Sequence, residues 1–359
     1  FAEIRETKNR PVIFFDDMDD KNDKEEFLNA LPELVGKAYV VLLVRNQMEL
    51  PFPFDVIQMT AMTVPLLLAE NKAFDPLDAL RTIAITDGIP ELVQLFDFQR
   101  TFAENLGLLF TQNSTYFRYA ESELRRHFRT PETYNILLYG MATGHNRISQ
   151  LAEFSGFPQN KCDKYLKTLD KVGLLETVQR KDTTGHVRTH YYPKGGYWKT
   201  WFRYVFPSQG CRLKPLEGSN LQQLADDIDC SIVVEYFKKV CWQWMKKNYG
   251  DYYWDEILGF DDPKQQNVTV NGVHFDYAQE TKDHTIYVKI WDDIREGFPK
   301  AEFQRIEAAT TAVRPFYENI YFLFSAGRAC NYVEQLRNLD TVSVVDLKSL
   351  LGQKNKELF

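Results

Sequence analysis

Two aspartates, Asp16 and Asp17, close the apolar run Pro11-Val-Ile-Phe-Phe15. A carboxylate at the end of a buried strand can hold Mg²⁺ through water, and a second beside it can orient an attacking water. The same pair, followed by Asp19 and Asp20, also fits a strand that ends in a solvated acidic loop. Gln159, Asn160, Lys161, Lys164, Lys167, Thr168 and Lys171 offer a different chemistry. In a major groove, amides suit adenine edges, and lysines suit guanine or phosphate. Shortly downstream, Arg180, Lys181, His186, Arg188 and His190 suit phosphates or a minor groove. A lysine-rich helix face is equally an ordinary solvated surface. Trp198, Trp201, Phe202, Tyr204 and Phe206 have the faces needed to stack bases, although such a cluster is more often core. The six histidines form no metal-spaced cluster, and no G-x-S-x-G occurs.

These residues need elements to hold them. Pro11–Phe15 and the run 39–44 read as buried strands around a helix at 25–35, which suggests a parallel βαβ unit. Residues 66–124 look helical. Asp75 is an N-cap candidate with Pro76 at the first helical position, and Gly88 is placed to end that helix with a positive φ. Helices follow over 131–141, 146–154 and 159–172. In the last of these, Cys162, Tyr165, Leu166 and Leu169 recur at helical spacing and so share one face. Alternating segments at 174–178 and 187–192 flank the turn sequence Asp182-Thr-Thr-Gly185. Three helices and a hairpin make a winged helix-turn-helix over 126–206. The order predicted beyond it is a connector over 197–218, a helix over 226–248, strands at 268–270, 273–278 and 286–290, a helix over 300–313, and strands at 319–324 and 342–345. The fold class is therefore α/β and multidomain.

Charge is distributed unevenly. Residues 125–214 carry 16 Lys+Arg against 6 Asp+Glu, a local +10 inside a chain of net −7, which leaves −17 for the rest. Such a protein is no general polyanion binder; it has one candidate surface for a polyanion, with duplex DNA the expected partner. No apolar stretch reaches about 18 residues, so no membrane helix is expected. The five cysteines lack metal-ligand spacing and read as reduced thiols of a cytoplasmic protein. The first residues lack the layout of a signal peptide, and no initiator Met is present, so a piece of a longer protein or a processed chain is expected.

Several segments, in order, resemble the AAA+/STAND-type ATPases common in archaea, in which a winged helix precedes a domain like the restriction-endonuclease fold. They are Val12-Ile-Phe-Phe-Asp-Asp17, similar to a Walker B strand; Asp75-Pro-Leu-Asp-Ala-Leu-Arg81 with Ile83-Ala-Ile-Thr-Asp-Gly-Ile-Pro90, similar to a lid; and Ile148-Ser-Gln-Leu-Ala152 with Tyr165-Leu-Lys-Thr-Leu-Asp-Lys-Val-Gly-Leu-Leu175. Tyr197-Trp-Lys-Thr-Trp-Phe-Arg-Tyr-Val-Phe-Pro207 and Val273-His-Phe-Asp276 through Ile286-Tyr-Val-Lys-Ile-Trp291 complete the set. The resemblance implies a partial P-loop ATPase core over 1–65, a helical lid over 66–125, the winged helix, and a nuclease-like α/β domain over 220–352. It implies Mg²⁺ at Asp16 and Asp17, and adenine contact at Gly88 and Pro90.

The departures from this pattern carry consequences. The phosphate loop G-x-x-x-x-G-K-[ST] is absent, so no cofactor is expected on this chain, and ATP with Mg²⁺ only in a longer protein. The nuclease pattern needs an Asp, then Glu-x-Lys on the next strand. Asp276 is present and Glu235 is a candidate accessory acid, but the Glu and Lys positions are Val288 and Ile290, with Lys289 between them. Alternation sends Lys289 to the other face. An inactive nuclease fold is expected. The alternative function is a regulatory module with a protein partner, in which the winged helix packs on the ATPase core.

Overall fold

A computed structural model describes residues 10–16, 24–44, 55, 57, 59–111, 114–181, 186–206, 219–249, 252–253, 256–257, 265–313 and 318–352. The chain divides into two units, residues 1–60 and 61–359.

In the first unit, β1 (Val12–Phe15) lies parallel to β2 (Tyr39–Leu42), with Val12 opposite Tyr39 and Phe15 opposite Leu42. The connection is α1 (Lys24–Val35), as a parallel pair requires. Leu31, Leu34 and Ala38 are buried, and Phe15 meets Phe27 edge-on at 4.8 Å. Asp16 follows β1 and is exposed. Asp17 lies outside the described residues.

The second unit opens with helices. α2 (Val64–Glu70) precedes α3 (Pro76–Thr86), whose start is the expected one: Asp75 Oδ1 accepts from the Leu77 and Asp78 amides at 2.8 and 3.2 Å. α4 (Pro90–Val93), α5 (Phe102–Leu109) and α6 (Thr115–His127) follow; Thr101 and Glu104 form a reciprocal capping box at the start of α5. Then come α7 (Glu132–Ala142), α8 (Ile148–Ser155), α9 (Gln159–Lys171) and an antiparallel hairpin, β3 (Leu175–Lys181) with β4 (Val187–Pro193).

The predicted connector is helical where it is described. α10 (Gly195–Thr200) runs into a π turn, Trp201–Val205. Tyr197, Trp201 and Phe202 are fully buried. Tyr197 Oη donates to Tyr116 O, Trp201 Nε1 to Phe117 O, and Tyr116 Oη to Ile85 O. The aromatic segment is thus core, as its composition favoured, with each polar tip satisfied. α11 (Ser219–Ile228) passes through a second π turn, Asp229–Val233, into α12 (Val234–Tyr249). This helical stretch begins before the predicted 226. Leu221, Leu224 and Ala225 already recur at helical spacing there, between polar Asn220, Gln222 and Gln223.

After the short pair β5 (Tyr252–Tyr253) and β6 (Glu256–Ile257), a five-stranded mixed sheet closes the chain. β7 (Gln266–Val270), β8 (Val273–Glu280) and β9 (His284–Ile290) form an antiparallel meander. α13 (Lys300–Thr311) crosses over to β10 (Glu318–Ser325), which is parallel to β9. After α14 (Asn331–Gln335), β11 (Val342–Asp346) joins parallel to β10, and α15 (Leu347–Gly352) is the last described element. The sheet order is β11-β10-β9-β8-β7. One face packs on Phe303, Ile306 and Ala309 of α13. The other joins a continuous core running from Val64 through the helices and the aromatic segment to Leu350. Among the described residues, no helix is long and apolar enough to cross a membrane.

Candidate nucleic-acid interface

α9 is amphipathic in the sense its sequence predicts. Cys162, Leu166 and Leu169 are buried, while Gln159, Asn160, Lys161, Lys164, Lys167 and Lys171 are exposed. Three of these cations differ in their surroundings. Lys161 Nζ stands 4.1 Å over the Phe157 ring and 5.7 Å from that of Tyr165. Lys167 pairs with Asp163 at 2.7 Å, one turn away. Lys164 has no side-chain partner among the described residues. The Lys167 pair is exposed, so it is weak and can be exchanged for a phosphate. Thr168 turns its hydroxyl back to Lys164 O at 3.0 Å, which takes it out of the outward-reading set.

The hairpin is anchored by Asn146, just before α8. Its Nδ2 donates to Tyr191 O at 3.0 Å and its carbonyl accepts from the Tyr191 amide at 2.8 Å. Arg180 and Arg188 are direct cross-strand partners and both are exposed. The Arg180 guanidinium lies 5.6 Å from the Tyr192 ring centre. Burial, then the charges of Arg180 and Arg147, hold the His190 imidazole below its ordinary range. Lys181 ends β3; its side chain and the hairpin tip lie outside the described residues.

Gly88 and Pro90 serve the local fold. Gly88 has φ +68°, its carbonyl accepts from the Met62 amide at 2.7 Å, and a Cβ there would come within 2.0 Å of Met62 O. Pro90 opens α4. The residue before them, Asp87, was not singled out by sequence. Its carboxylate accepts from the Gly196 and Tyr197 amides at 2.7 and 3.1 Å, capping α10 from 109 residues away. Burial raises its pKa. Gly195 allows this approach, because a Cβ there would fall 2.2 Å from Asp87 Oδ2, and at Gly196 one would fall 1.8 Å from Ala84 O.

The Asp276 site departs further from a hydrolytic centre. Strand alternation breaks here. Phe275 joins the core beneath α13, whereas Tyr277 joins the opposite one. On β7 the ladder pairs Gln266 with Tyr277 and Val268 with Phe275, and Asn267 between them has φ +52°. This distortion turns Asp276 toward α12. The Ile290 amide donates to its Oδ2 at 2.7 Å, and Lys238 Nζ pairs with Oδ1 at 2.9 Å and with Asp292 at 3.0 Å. Burial opposes the charge on Lys238, yet the two carboxylates raise its pKa. Glu235, one turn earlier on α12, is half exposed and held by Lys199 at 2.6 Å. Lys289 faces the α13 side, as alternation requires, donating to His274 O at 2.7 Å near Glu302. Val288 and Ile290 are buried and apolar. A metal does not fit this donor set: an ammonium occupies one oxygen of Asp276 and an amide the other. Among the described residues, no three His, Cys, Asp or Glu side chains group as metal ligands. Sequence spacing could have flagged Lys238, since it shares a helix face with Glu235.

No family model matches the chain. Over 152 residues it is 26% identical to the uncharacterized protein MJECL04 of Methanocaldococcus jannaschii, a match covering 40% of this chain and 34% of that protein. The chain thus spans about a third of that relative's length. A solved structure of an O-methyltransferase, NcsB1 from neocarzinostatin biosynthesis, bound to S-adenosyl-L-homocysteine, aligns at 10% identity. It covers 60% of this chain and 63% of that one at a TM-score of 0.15, too low to imply a shared fold.

Proposed function

We propose that this chain binds duplex DNA, with α9 as the recognition helix of a winged helix-turn-helix and the β3–β4 hairpin as its wing. The observation that carries this reading is the exposed α9 face of Gln159, Asn160, Lys161, Lys164, Lys167 and Lys171, backed by a fully buried apolar face. The order α7, α8, α9, β3, β4 supports it, since that order places one exposed helix beside a hairpin. If Lys161, Lys164, Lys167, Arg180 and Arg188 each neutralise a phosphate, log Kd should change with log salt with a slope of about 4 to 5. Fluorescence anisotropy with a labelled duplex between low and physiological salt measures this. A flat salt dependence, or no binding at low salt, would remove the DNA reading.

The C-terminal sheet, with its helix, antiparallel meander, crossover and parallel strand, supports a restriction-endonuclease-like domain that has lost hydrolysis. Lys238 sits where a cation would neutralise Asp276, so water beside that carboxylate is neither acidified nor aimed. Plasmid DNA incubated with the chain and Mg²⁺ or Mn²⁺ should stay intact. Nicking that disappears in Asp276→Ala would overturn this.

The parallel strand pair of the first unit supports a partial AAA+/STAND core, and the helices within 66–125 support its lid. ATP with Mg²⁺ belongs in this reading to a longer protein, because Asp16 has no phosphate loop in this sequence to work with. A protein partner on the α9 face is the alternative occupant; an acidic peptide that competes with DNA would favour it.

A further inference from the structure

The hairpin presents its two arginines on a surface of their own. In an antiparallel pair, direct partners share a face, so Arg180 and Arg188 stand with Glu176, His190 and Tyr192. The opposite face looks toward α9, where Asp163 and Lys167 act on the Tyr191 phenol. Arg147, exposed at the start of α8, adds its charge beside Arg180. Two cations approach the Tyr192 ring, Arg180 at 5.6 Å and Lys199 Nζ at 5.7 Å from its centre. Tyr192 also lines an open cleft of about 620 Å³, shared with Asn146, Lys199, Arg203, Ser231 and Glu235. The positive hairpin face therefore leads into a cleft of the size that takes nucleotide-sized groups.

We propose that this hairpin face and the cleft below it hold a single strand of nucleic acid leaving the duplex on α9. The proposal rests on the DNA reading above. Cations along a groove track a backbone, and an aromatic side chain gives a base something to stack on. Inside a duplex each base is stacked on both faces, so a base that lies along this groove and meets Tyr192 is an unpaired one. Lys199 is already held by Glu235 and, at 3.7 Å, by Glu176. Arg203 is the looser cation, 4.0 Å from Asp227 and 40% exposed. The strand's phosphates are therefore assigned to Arg147 and Arg203, with Lys199 as the cation behind the stacked ring.

The test compares a blunt duplex with the same duplex carrying a short oligo-dT tail. In the wild-type chain the tail should tighten binding by about tenfold, the scale of one stacked base. In Arg203→Glu the gain should vanish while blunt-duplex affinity stays within about twofold, since Arg203 is on neither α9 nor the hairpin. No gain from the tail, or a gain that survives Arg203→Glu, overturns the proposal. So does polyglutamate displacing the tail as well as oligo-dT does, because charge alone would then be read. A chain that ignores blunt duplex yet binds oligo-dT through Arg203 would sink the α9 reading and leave this one standing.

Discussion

Changing Lys161, Lys164 and Arg188 to glutamate together should abolish the shift of duplex DNA in a native gel. Each replacement removes a phosphate contact and sets a carboxylate against the backbone, and like charges at an interface cost several kcal/mol. The loss of affinity should exceed about a hundredfold. In any complex that survives at low salt, the salt slope should fall by about 3, one for each contact removed. All three positions are exposed. Lys161 also loses its contact with Phe157, worth about 0.5–1 kcal/mol at an exposed site. Exposed positions tolerate substitution, so the variant should stay folded. A folded triple variant that binds DNA like the wild type would show that neither α9 nor the hairpin is the interface.

The second large effect is on stability. Arg81 of α3 forms a two-pronged pair with Asp229, Nε to Oδ1 at 2.9 Å and Nη2 to Oδ2 at 2.5 Å, while Nη1 pairs with Asp78 at 2.8 Å. Asp229 is 1% exposed and opens the π turn that leads into α12. Arg81→Met would strand that carboxylate in the core without its partner, at a cost of about 3–5 kcal/mol. The same reasoning predicts that Arg81→Met/Asp229→Leu recovers most of the loss, because an apolar pair of similar volume leaves no charge to desolvate. Denaturant unfolding of the two variants decides it. A single variant within about 1 kcal/mol of wild type, or a double variant as weak as the single, contradicts a strongly coupled pair.

Much of the second unit is legible in the residues. Cys162, Leu166 and Leu169 recur at helical spacing, so one face of α9 is fixed as buried and its lysines as outward. Asp75-Pro76 starts α3 because the side chain caps amides two and three residues on, a contact the local backbone alone can make. Asp182-Thr-Thr-Gly185 separates two alternating runs, and β3 and β4 form on either side of it. Val288 and Ile290 alternate with Lys289 on β9, so the burial of the first two on one face and the turn of Lys289 to the other follow from the period of two.

Partners across the chain were beyond that reading. Glu235 was the acid expected near Asp276, yet the neighbouring turn of the same helix supplies Lys238 instead. Periodicity gives the face a helix buries; the rotation and slide that choose between two residues on that face come from packing over a whole interface. Nor does alternation announce its own break at Asn267 and Asp276, which turns Asp276 toward α12. Asp87 caps a helix 109 residues later, and Arg81 meets an aspartate 148 residues later. Sequence determined which groups each element offers, because those rules act over a few residues. Which groups met was decided only when the helices and the sheet closed on a shared core, where a buried amide or charge is stable only with a partner within hydrogen-bond reach.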